Sequence, residues 1–86
     1  MRYFSRISHL NKEDLLKIIG GNIKLLRKYY GITSEELGKE TGMGRTAISR
    51  IENGKINITM ETLVVIANYF KVSPVLLLTI NIRVKE

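Results

Sequence analysis

The sequence predicts an all-α fold, five helices packed around one small core, with short strand-like segments at the two termini. Three observations predict it. Apolar residues recur at helical spacing in two long stretches, Leu15, Leu16, Ile18, Ile19, Ile23 and Leu26, then Leu63, Val64, Ile66, Ala67 and Phe70. Helix-starting residues stand ahead of the candidate helices, namely Asn11, Thr33, Thr59 and the Ser73-Pro74 pair. The chain has 86 residues, enough for one domain in which a helical bundle folds alone. That domain divides into a core at 11–78, an N-terminal arm or strand at 1–10, and a C-terminal strand-like tail at 79–86.

Residues 1–8, Met-Arg-Tyr-Phe-Ser-Arg-Ile-Ser, are rich in β-forming and aromatic side chains and read as a short strand or a frayed end. Asn11 caps the first helix, with Asp14 near its positive end. That helix spans about Lys12 to Tyr29, and Gly31 ends it. The Gly20-Gly21 pair interrupts it. Two interior glycines cost roughly 1–2 kcal/mol against alanine, which predicts a kink or a break into two helices. Thr33 and Glu36 form a capping box for a second helix. Leu37 anchors that helix, and Gly38 lets a neighbour approach. The Thr-Gly-Met-Gly run at 41–44 breaks it, because Gly42 tolerates the left-handed conformation of a sharp turn.

A third helix runs from about Arg45 to Asn53 and separates into two faces. Ala47, Ile48 and Ile51 fall on one side; Arg45, Thr46, Ser49, Arg50 and Asn53 fall on the other. A loop, Lys55-Ile56-Asn57-Ile58, leads to a fourth helix capped by Thr59 and ending near Phe70, with Tyr69 at the half-buried edge. Ser73-Pro74 starts a short fifth helix that ends near Leu78. Beyond it, Ile80, Ile82 and Val84 alternate with polar residues, a strand pattern that needs a partner. The partner is residues 2–7, a neighbouring subunit's tail, or none if the end frays.

Composition narrows the function classes. There is no cysteine, and the single histidine, His9, has no ligand of its kind, so a metal site and a cofactor are not expected. No run of eighteen apolar residues and no apolar N-terminal leader is present, which predicts a soluble cytoplasmic protein without a membrane partner. The net charge of +6 favours an anionic partner. The chain lacks the His, Cys or carboxylate pairing of a nucleophile–base set, so it is not expected to be an enzyme. The third helix adds the sharper indication. Solvated faces favour Glu and Lys, whereas this one holds Arg, Thr, Ser and Asn, all able to hydrogen-bond base edges and phosphates.

Residues Thr33 to Gly54 resemble the helix-turn-helix of the Cro- and phage-repressor-like DNA-binding family, the xenobiotic-response-element type. The resemblance rests on Leu26-Arg27, on Glu35-Glu36-Leu37-Gly38 with Gly42, and on Ile48-Ser49-Arg50-Ile51-Glu52-Asn53-Gly54. Leu63, Ile66-Ala67 and Val72-Ser73 continue it, so that it covers about residues 19–78. It implies a lambda-repressor-like fold and a sequence-specific regulator of transcription, a repressor that binds double-stranded DNA as a homodimer on a pseudo-palindromic operator.

The resemblance assigns Gly44, Arg45, Thr46 and Arg50 to the major groove, with Ser49 nearby. Gly44 departs from the Ser or Thr common at its place. For the DNA phosphates, the start of the second helix offers Thr33 and Ser34, where free amides and the helix dipole suit an anion. Many relatives carry Gln where Ser34 stands. Asn53, Lys55 and Asn57 match the family's second phosphate clamp, and Arg27 and Glu52 match its structural ion pair. The rival reading is a protein-interaction module, such as an antitoxin or antirepressor component that holds a protein partner.

Overall fold

The computed structural model describes residues 10–80. Four α-helices follow one another: α1 at Lys12–Tyr29, α2 at Ser34–Thr41, α3 at Arg45–Glu52 and α4 at Met60–Phe70. The expected fifth α-helix is instead a 3₁₀ helix, Pro74–Leu78. Its i→i+3 bonds run from the Leu76 amide to Ser73 and from the Thr79 amide to Leu76. The Leu77 and Thr79 carbonyls both accept from the Asn22 side chain of α1, which fixes the end of this short segment against α1. No strand occurs among the described residues; the strand-like segment expected at 1–8 lies outside them, as does that expected at 79–86 beyond Thr79 and Ile80, which are not in a strand.

Local chemistry sets the helix starts. Asn11 and Asp14 make a reciprocal capping box: the Asp14 amide donates to Asn11 Oδ1 at 2.8 Å, and the Asn11 amide to Asp14 Oδ2 at 3.3 Å. At α2 the cap is one-way, Thr33 Oγ1 accepting from the Glu36 amide at 3.0 Å. Thr59 and Ser73 accept in the same manner from Thr62 and Val75.

The core gathers Ile19, Ile23 and Leu26 of α1, Leu37 of α2, Ile48 and Ile51 of α3, Leu63, Ile66, Ala67 and Phe70 of α4, and Leu77. Leu15 and Val64, expected inside, are exposed: Val64 sits at the margin of the α4 apolar stripe, whereas Leu15 lies on the α1 stripe but in its second turn, where it lines an open hollow with Met60 and Leu78.

Helix α1 runs unbroken through Gly20-Gly21. Packing outweighs propensity here. A Cβ on Gly20 would press on the Ile51 carbonyl oxygen and stand 2.6 Å from that of Glu52. The missing side chain is therefore what lets the end of α3 lie directly on α1.

Buried Asn22 also holds α1 to the rest, and the apolar pattern conceals it. Its Nδ2 donates to the carbonyls of Leu77 and Thr79, both at 2.8 Å, fastening the 3₁₀ helix to α1. A signal was available: Asn22 lies three residues after Ile19 and four before Leu26, on the buried stripe itself.

Candidate nucleic-acid interface

Helix α3 is held at both ends. At its start, the turn from α2 folds back tightly. The Gly38 carbonyl accepts from the amides of Met43 and Gly44, at 2.9 and 3.0 Å. A Cβ on Gly38 would stand 2.6 Å from the Gly44 carbonyl oxygen and 2.7 Å from the Arg45 nitrogen. Gly42 and Gly44 take φ of 77° and 88°, which suits glycine and accounts for the lack of a hydroxyl residue at 44. No side chain caps α3.

At its end, Arg27 of α1 grips Glu52 with two prongs, Nε to Oε2 at 2.7 Å and Nη2 to Oε1 at 3.0 Å. The remaining Nη1 donates to the Ile32 carbonyl at 2.9 Å, so one guanidinium joins α1, α3 and the turn before α2. The two side chains are 12% and 5% exposed. Hydrogen bonding to Glu52 raises the Arg27 pKa above its ordinary value, burial opposes the rise, and the carboxylate's charge adds to it. A raised pKa means that the stabilisation is complete below the unfolded-chain value and is lost only as pH climbs through the folded one. Arg27 therefore keeps its charge at any working pH.

With Ile48 and Ile51 buried and Ala47 half-buried, α3 turns Arg45, Thr46, Ser49 and Arg50 to solvent, and Gly44 is exposed ahead of them. Among the described residues no hydrogen bond or ion pair engages either guanidinium. Asn53, Lys55 and Asn57 follow in the segment after α3, all exposed. Asn53 folds back, its Nδ2 donating to the Ser49 carbonyl at 2.9 Å, and the Lys55 amide donates to the Arg50 carbonyl at 2.8 Å.

Thr33 is exposed and Ser34 half-buried, at the end of α2 away from the α2–α3 turn. Exposed Glu35 and Glu36 share that first turn and set two negative charges against an anion there. The residues expected from the sequence thus divide into the run 44–57, on α3 and the loop after it, and the pair at 33–34, which has two acidic neighbours in its own helix turn.

This surface matches a known architecture. A helix-turn-helix family model covers residues 23–77. The chain belongs to the Cro/C1-type helix-turn-helix family. That is a family of DNA-binding regulators of transcription.

Among its relatives, the uncharacterized HTH-type transcriptional regulator y4dJ of Sinorhizobium fredii is 36% identical over 66 residues, 77% of this chain and 86% of that protein. The control protein C.SmaI of Serratia marcescens is 30% identical over 66 residues, 77% and 79% of the two chains. Antitoxin PezA of Streptococcus pneumoniae is 40% identical over 56 residues, 65% of this chain but 35% of the antitoxin, so this chain spans about a third of that relative. The crystal structure of a hypothetical transcription factor from Neisseria superposes with a TM-score of 0.76 at 28% identity, covering 84% of this chain and 83% of that one.

Proposed function

We propose that this helix-turn-helix chain is a repressor that binds double-stranded DNA as a homodimer on a pseudo-palindromic operator, with α3 in the major groove. The observation that carries it is the outer face of α3, where two guanidinium groups, without a partner among the described residues, stand among small polar residues on a helix fixed at both ends. Arg45 and Arg50 read base edges, each able to give two hydrogen bonds to guanine O6 and N7, worth about 1–3 kcal/mol of discrimination. Thr46 offers a methyl to thymine or a hydroxyl to an acceptor; Gly44 and Ser49 let the backbone come close. Asn53, Lys55 and Asn57 hold the phosphates on one side, and the α2 start with Thr33 and Ser34 offers backbone amides on the other.

One eight-residue helix reads few base pairs, so useful specificity calls for two copies about one helical turn apart, roughly 34 Å. Exposed Met60, Val64 and Val75, at 72%, 41% and 68%, support a subunit contact beside the 3₁₀ helix and the tail that follows it. Likeness to an antitoxin supports a second reading, in which this DNA-binding module also holds a protein partner.

Selection from a pool of random duplexes tests the proposal. Enrichment of an inverted repeat with half-sites about one turn apart is expected. Recovery of sequences without any shared site rules out a sequence-reading role.

A further inference from the structure

Lys17 lies in the first half of α1, ahead of residues 23–77 that the family match covers. Its stem crosses the turn that follows α3. A Cβ on Gly54 would stand 2.9 Å from Lys17 Cγ and 3.2 Å from its Cα and backbone nitrogen. Gly54, with φ of 68°, separates Asn53 from Lys55. Lys17 therefore packs against the turn between Asn53 and Lys55 of the proposed phosphate clamp, although 36 or more positions separate it from those residues in sequence.

The side chain is exposed, and among the described residues no carboxylate pairs with its ammonium, Glu13 one helical turn earlier included. Nearer the start of α1, Lys12 lines a cavity of about 160 Å³ together with Asn57, the last clamp residue. The opening turns of α1 thus follow the whole segment from Gly54 to Asn57. An ammonium is a compact charge with three rotatable donors and needs no fixed fork geometry to meet a phosphate.

We propose that Lys17 contacts a backbone phosphate of double-stranded DNA, extending the clamp of Asn53, Lys55 and Asn57 onto α1. The inference rests on the DNA-binding reading above. It differs from a lysine that merely adds to net charge. Such a residue is Lys71, at the far end of α4 and roughly 18 Å from Thr59 by helix rise, beyond the Debye length of about 8–10 Å at working salt.

The test is fluorescence anisotropy of the full chain with a labelled mixed-sequence duplex of roughly 30 base pairs, titrated at several salt concentrations. Lys17→Gln and Lys17→Met both keep the stem over Gly54 and remove the charge. Each is expected to lower the slope of log K against log salt by about 0.9 and to weaken binding roughly 8-fold near 0.1 M salt. Lys17→Arg retains the parent slope, and so does Lys71→Gln. If the neutral Lys17 variants behave as Lys71→Gln does, the proposal is overturned while DNA binding stands. A parent chain with no salt-dependent affinity for any duplex overturns both.

Discussion

Adjacent glycines in α1 are expected to respond to alanine with opposite signs. Both lie mid-helix, where alanine is favoured over glycine by about 0.8–1 kcal/mol. At Gly21 nothing among the described residues stands within 4 Å of the added Cβ, so Gly21→Ala should gain about that amount. For a domain of this size the gain corresponds to a rise in Tm of roughly 4–8 °C. At Gly20 the new carbon meets backbone, at 2.6 Å from the Glu52 oxygen and 2.8 Å from its carbonyl carbon. Backbone cannot rotate away, so α3 must shift. Overpacking of this kind costs about 1–3 kcal/mol, which outweighs the propensity gain at most of that range. The expected net loss for Gly20→Ala is up to about 2 kcal/mol, together with weaker duplex binding, because α3 is displaced and the Glu52 carboxylate moves with it. Urea titration followed by helical circular dichroism reads both variants against the parent. Equal stabilisation by the two alanines would refute the close seating of α3 on α1.

Further consequences concern the two polar fastenings. Arg27→Met strands a Glu52 carboxylate that is 5% exposed and should cost about 3 kcal/mol, while adding Glu52→Leu recovers at least half of it; single costs that simply add in the double variant contradict a coupled pair. Asn22→Leu leaves the Leu77 and Thr79 carbonyls without their donor, an expected loss of about 2 kcal/mol, with faster amide exchange at Thr79; unchanged exchange there argues against Asn22 as the fastening.

What the sequence revealed and what it hid divide along a physical line. Caps at Asn11, Thr33, Thr59 and Ser73 are chemistry within three residues, and each forms as the sequence predicts, apart from the reciprocal half at Glu36. The two faces of α3 follow from helical period alone. Continuity through Gly20-Gly21 does not, because it depends on α3, which arrives from thirty residues away and needs the space of the absent side chain. The fastening of the last helix to α1 has the same origin, a carbonyl bonded to Asn22 at a separation of 55 residues. Leu15 and Val64 show the remaining gap: periodicity marks a stripe, but only the neighbouring elements decide how much of its length and width is covered.

For the interface, the chemistry of Arg45, Thr46, Ser49 and Arg50 was legible, whereas the proposed phosphate contact of Lys17 was not. Nothing in a linear reading connects the start of α1 to Gly54. The acidic neighbours of Ser34 were in plain view and lower the worth of an anion at that end of α2.

The most direct measurement compares binding of Arg50→Ala to the selected operator and to a scrambled duplex, beside Lys55→Ala as the phosphate counterpart. A base-reading Arg50 predicts that its loss removes about 1–3 kcal/mol of affinity from the operator, little from the scrambled duplex, and relaxes preference at one base pair in each half-site. Lys55→Ala should weaken both duplexes alike and flatten their salt dependence. Equal loss on the two duplexes for Arg50→Ala would contradict a groove-reading role for the exposed face of α3.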